Sequence, residues 1–115
     1  MSGADKRRDP RVDTQQSVWV EGQEVRVEAQ ARNMSRTGMF VVTRDSMPAL
    51  GSTLDVKFDD RLEGRIEVTM EVVWRADESL GSKLGLRVAD PAGMNAFERV
   101  VARYLDEHGP SDPED

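Results

Sequence analysis

The run from Arg65 to Trp74 constrains the fold more than any other stretch. Ile66, Val68, Met70, Val72 and Trp74 fall on alternate positions, and Glu67, Thr69, Glu71 and Val73 fall between them. A period of two puts the two sets on opposite faces of an extended strand, one buried and one facing water. Similar but shorter patterns occur at Ser17 to Glu21, at Glu24 to Ala31, at Gly38 to Thr43, at Thr53 to Phe58 and at Lys83 to Ala89, giving six candidate strands. Gly22, the polar cluster from Asp45 to Gly51 and the polar stretch Arg75 to Ser82 read as the turns and loops between them. Trp19 is out of phase with Val18 and Val20 and is expected on the exterior, towards the helix, whereas Trp74 is read as core or rim packing, with stacking on a base as its alternative.

The period then changes. Met94, Phe97, Val101, Tyr104 and Leu105 recur at spacings of three and four, which predicts one amphipathic helix ending near His108. Asp90 suits its N-cap and Pro91 its first turn, and Gly109-Pro110 gives the stop. Short strands with frequent turns favour a closed or nearly closed antiparallel barrel, because closure removes the unpaired edges of a flat sheet. The expected class is all-β with a C-terminal helix: a six-stranded antiparallel β-barrel, with the helix on its outside or over one end.

Charge and composition narrow the function classes. The chain of 115 residues suits one domain, and no stretch approaches the roughly eighteen apolar residues of a membrane-spanning helix. No apolar signal region opens it, so a cytoplasmic protein is expected. With no cysteine and a single histidine, His108, neither a disulfide framework nor a transition-metal site is expected. No nucleophile and base fall together. Asp59-Asp60 reads as a solvated pair, and no catalytic residue, metal ligand or cofactor is assigned. The formal charge of -6 counts against general nucleic-acid binding, which depends on broad neutralisation of phosphates.

Against that acidity, Lys6, Arg7, Arg8 and Arg11 crowd into "KRRDPRV" near the start, and "NMSRTG" at Asn33 to Gly38 precedes the third strand. Taken alone, the second piece is a good turn, with short polar side chains at Asn33 and Ser35 and a glycine able to take a positive φ. Together the two pieces resemble the bipartite signature of the PilZ domain, RxxxR followed by (D/N)xSxxG. Arg7 and Arg11 match the outer arginines, Arg8 is the frequent extra one, and Asn33, Ser35 and Gly38 fill the second half. The strands "GMFV", "VVW" and "LGLRV" and the helix "FERVVARYL" extend the similarity to about nine-tenths of the chain.

This resemblance implies a PilZ-type barrel and a receptor for cyclic di-GMP, with Arg7, Arg8, Arg11, Asn33, Ser35 and Gly38 as the ligand-binding residues. Arginine suits such a ligand, because its planar fork bonds phosphate or the guanine edge bidentately and its face stacks on a purine. Residues 1–12 are expected as a flexible basic leader that closes over the ligand, 13–108 as barrel and helix, and 109–115 as a disordered acidic tail. With five residues ahead of Lys6, the signal is expected to pass to an effector protein that senses the reshaped surface, the receptor being a monomer or homodimer. Arg36, within the second motif, faces either ligand or solvent. Two other readings stay open: an adaptor of the same fold without nucleotide, acting in motility or pilus function, and a small nucleic-acid-binding barrel.

Overall fold

The computed structural model describes residues 10–22, 25–45, 49–79 and 81–110. Six strands, β1 (Val12–Gly22), β2 (Val25–Ser35), β3 (Gly38–Thr43), β4 (Thr53–Asp60), β5 (Gly64–Glu78) and β6 (Gly81–Val88), are followed by the helix α1 (Met94–His108). All ladders are antiparallel and the strands close in the order β1-β2-β3-β6-β5-β4, the expected six-stranded barrel with one C-terminal helix. Most of the expected leader and tail lies outside the described residues.

Alternation builds the interior. Val18 and Val20, Val56 and Phe58, Ile66, Val68, Met70 and Val72, and Leu84 and Leu86 point inward, and α1 adds Phe97, Val100 and Val101 to the same buried cluster. Phe97 meets Phe58 edge to face, with ring centroids 6.5 Å apart, so the apolar stripe of α1 continues the barrel core.

The helix starts later than its sequence suggests. Asp90 Oδ1 accepts the Ala92 N–H at 2.9 Å, capping a preceding turn, while the N-cap position belongs to Gly93 at φ 79. Glycine fits there because a Cβ would collide with the Glu67 carbonyl oxygen where the helix meets β5. At the other end the Gly109 N–H donates to the Leu105 carbonyl at 2.8 Å, ending the helix where expected.

Two stretches read as loops are strand. Asn33 to Ser35 completes β2, leaving only Arg36 and Thr37 as the turn into β3, and Arg75 to Glu78 extends β5. Their polar side chains support a solvated ribbon: Arg75 pairs with Asp77 at 3.1 Å and Lys83 with Glu78 at 3.0 Å. Trp19 is exterior, as its phase requires, but its ring lies under the Arg26 guanidinium at 5.1 Å.

The barrel closes on its shortest ladder. β1 pairs β4 only through Trp19, Val20 and Glu21, opposite Lys57, Val56 and Asp55. Below that level the strands part, and the last two turns of α1 lie by the gap. Asp60, expected in solvent, is buried there: Arg103 Nη1 and Nη2 donate to its two carboxylate oxygens at 2.9 and 2.5 Å, and the Leu62 and Glu63 N–H groups donate to Oδ2. Tyr104 Oη donates to Gln16 Oε1 on β1 at 3.2 Å.

Candidate functional site

Irregularities cluster at one level of the barrel. β1 carries Thr14 and Gln15 between Asp13 and Gln16 where β2 carries only Arg32 between Asn33 and Ala31. β3 runs from Phe40 to Val41 with no residue opposite Arg32, and β5 carries Val73 between Val72 and Trp74 where β6 steps straight from Leu86 to Gly85. Each extra residue breaks the two-residue alternation and turns neighbours outward. Asn33, Phe40, Gly85 and Trp74 therefore pair successively across β2, β3, β6 and β5 and form one row on the exterior.

Trp74 consequently leaves the inward set of β5. It is 47% exposed, and its ring packs on Phe40 across Gly85, with centroids 5.8 Å apart. Any side chain at Gly85 would crowd the Trp74 Cβ, so that glycine provides the space for the aromatic pair.

Arg11 lies just before β1, at the polar end of the row. Its Nη1 donates to Asn33 Oδ1 at 2.7 Å, joining the two halves of the sequence signature across twenty-two positions. The fork retains further N–H donors, and the Asn33 amide retains its own. A groove of about 410 Å³ runs from this pair past Thr37 to Phe40, Val73, Trp74 and Arg87. Arg87 sits 3.8 Å from Glu71 at the groove's edge, an exposed pairing that leaves the cation accessible.

The remaining residues of the second motif act locally. Ser35 is 1% exposed, and its hydroxyl lies 3.2 Å from Thr37 Oγ1 and accepts the Thr37 N–H at 3.3 Å, which tightens the β2–β3 turn. Gly38 does not use the positive φ expected of it. It pairs with Arg87 so closely that a Cβ would collide with the Leu86 carbonyl oxygen, and close backbone approach is what requires glycine. Of the six residues assigned from sequence, Arg11 and Asn33 meet at the groove, Ser35 and Gly38 shape its rim from below, and Arg7 and Arg8 lie outside the described residues. Phe40, Trp74 and Arg87 were not assigned from sequence; their shared phase with Asn33 is visible only once the bulges are known.

A larger concavity of about 720 Å³ lies between the start of β1, the end of β4 and α1. Its principal polar groups hold one another, Arg103 on Asp60, Arg61 on Glu107 at 3.3 Å and Tyr104 on Gln16, so it is the helix's docking cleft. No group of three or more potential metal-ligating side chains occurs among the described residues, and no helix among them is long and apolar enough to cross a membrane.

A family model described as PilZ domain matches residues 5–107. No curated protein sequence matches the chain. Among solved structures, the inhibitor of motility (MotI/DgrA) of Bacillus subtilis superposes with a TM-score of 0.70 at 19% identity, over 89% of this chain and 52% of that one. The PilZ domain of YcgR from Escherichia coli, solved with c-di-GMP, also gives 0.70, at 12% identity over 89% and 93% of the two chains. MrkH, described as a c-di-GMP-dependent transcription regulatory factor, gives 0.66 at 12% identity over 88% and 52%. The chain thus spans about half the length of the motility inhibitor and of MrkH.

Proposed function

The chain belongs to the PilZ domain family, and from that premise we propose that it is a receptor for cyclic di-GMP whose N-terminal arginines close over the groove between Arg11–Asn33 and Trp74. The Arg11–Asn33 hydrogen bond carries this reading, because it joins the cationic and polar halves of the signature at the mouth of the groove. The ligand presents anionic phosphates and flat guanines with hydrogen-bonding edges. Arg11 and Arg87 supply cations, Asn33 supplies an amide that complements a base edge, and the Phe40–Trp74 pair supplies an apolar wall for a purine face.

Arg7 and Arg8 complete the clamp in this reading, with Arg36 at the turn beside it, and Ser35 and Gly38 hold the rim in shape. Binding draws the leader onto the barrel, and an effector protein reads the altered surface. The receptor works in the cytoplasm as a monomer or homodimer and carries out no catalysis.

Isothermal calorimetry with cyclic di-GMP tests the proposal, with cyclic di-AMP as the specificity control. Wild type binds the guanine ligand, and Arg11→Ala weakens it ~10- to 100-fold, the loss of a charge-assisted hydrogen bond. Folded wild type that gives neither heat nor a thermal shift refutes the receptor reading. An adaptor without nucleotide then stands. One observation favours it: Leu50, Val73 and Trp74 are exposed, and the turn bearing Leu50 is tied to β5 by the Gly51 N–H to Val72 carbonyl bond at 2.8 Å.

A further inference from the structure

A second groove flanks Asn33 and Phe40 on the side away from Trp74. It measures about 450 Å³ and is walled by Asp13, Thr14, Gln15, Arg32, Val42 and Lys83, with Asn33 and Phe40 common to both grooves. The bulges of β1 and β2 form it. Arg32 is the extra residue of β2, so it points outward beside the outward Asn33, which regular alternation forbids.

Arg32 is exposed and has no hydrogen-bond or ion-pair partner among the described residues. Lys83 pairs with Glu78 at 3.0 Å, but both are partly exposed, and solvent and salt weaken such a pair. Asp13 is the single carboxylate on the wall, against two cations. A polar, cationic concavity thus stands beside the groove assigned above, separated from it by a ridge one residue wide.

We propose that this groove is the second lobe of the same site, in which Arg32 and Lys83 bind the second phosphate of a two-phosphate ligand that straddles the Asn33–Phe40 ridge. The inference rests on the receptor reading and extends it. A cyclic dinucleotide carries its phosphates on opposite sides of one ring, so cations in both lobes engage it together. The Arg32 fork fits a phosphate bidentately, Lys83 adds a point charge, and the Gln15 amide and Thr14 hydroxyl complete a polar wall.

The test titrates cyclic di-GMP by calorimetry at low and moderate salt into wild type, Arg32→Gln, Lys83→Gln, the double variant and Arg32→Lys. Arg26→Gln, which removes an exposed cation stacked on Trp19, controls for net charge. The double variant loses ~10-fold or more in affinity and its salt dependence flattens, Arg32→Lys keeps the salt dependence but loses affinity with the fork, and Arg26→Gln matches wild type. Melting temperatures stay together. Double-variant affinity within about twofold of wild type, or an equal loss in Arg26→Gln, overturns the second lobe while leaving the receptor reading intact. Absence of binding by wild type overturns both.

Discussion

Replacing Asp60 by asparagine asks how strongly charge holds α1 to the barrel. The Asp60 side chain is 1% exposed and accepts two guanidinium bonds and two backbone N–H bonds. Asparagine keeps the shape and one oxygen, but it turns an amide donor towards Arg103 and removes the cation's counter-charge. Breaking a buried pair from one side costs about 3–5 kcal/mol. Arg103 retains 18% exposure and has Glu107 at 3.7 Å as a second carboxylate, which reduces the expected loss to about 2–3 kcal/mol. For a chain of this size that lowers the melting midpoint by on the order of 10 °C. Acid provides the discriminating measurement. The hydrogen bonds from Arg103 hold the Asp60 carboxyl far below its ordinary 3.8, burial opposes them, and the Glu63 and Leu62 N–H groups add to the lowering. A carboxyl depressed on folding stabilises fully above its unfolded value and loses that contribution as pH falls below it. At about pH 3 the wild-type advantage therefore shrinks by about 1 kcal/mol relative to pH 7. Urea unfolding of both proteins at the two pH values reads this directly. An unchanged gap, or one below about 0.5 kcal/mol at pH 7, refutes the electrostatic account.

At the motif glycine, Gly38→Ala drives a Cβ into the Leu86 carbonyl and lowers stability by about 1–3 kcal/mol in thermal melting; a wild-type midpoint contradicts the close-approach explanation. Trp19 and Trp74 can be separated by fluorescence: in Trp19→Phe the emission still responds to cyclic di-GMP, and in Trp74→Leu it does not. A response that follows Trp19 instead removes the aromatic wall from the site.

The barrel and its helix are legible because each buried face repeats at its own period, as Ile66 to Val72 and Phe97 to Tyr104 show. Departures arise where one residue breaks a period or where the deciding partner is remote. Val73 shifts the phase of β5, so Trp74 reads as inward and lies outward. Asp60 reads as solvated because its partner, Arg103, is forty-three positions away. Polar Arg75 to Glu78 reads as loop because a ribbon with little core to cover needs no apolar alternation. At the site, the joint motif singles out Arg11 and Asn33 but not the hydrogen bond between them, and Phe40, Trp74 and Arg87 come from three strands whose register no local pattern reveals. Ser35 and Gly38 are legible as motif residues, but their roles follow from burial and backbone proximity.

The short β1–β4 ladder has a consequence for how the molecule opens. The other five ladders each join at least five residue pairs, while this seam joins three. Strand closure between β1 and β4 also spans a long stretch of chain, from Glu21 to Asp55 at its nearest pair, so its entropy cost is met by few bonds. α1 spans the gap from both sides, holding β1 through Tyr104–Gln16 and the end of β4 through Arg103–Asp60. The helix is a clasp on a sheet that is rolled up but weakly sewn, and the cheapest partial unfolding is unrolling at this seam. Amide exchange in β1 and β4 should then share one opening free energy, below that of β5 and β6, and removing either of these two side-chain contacts on a helix outside the sheet should lower it.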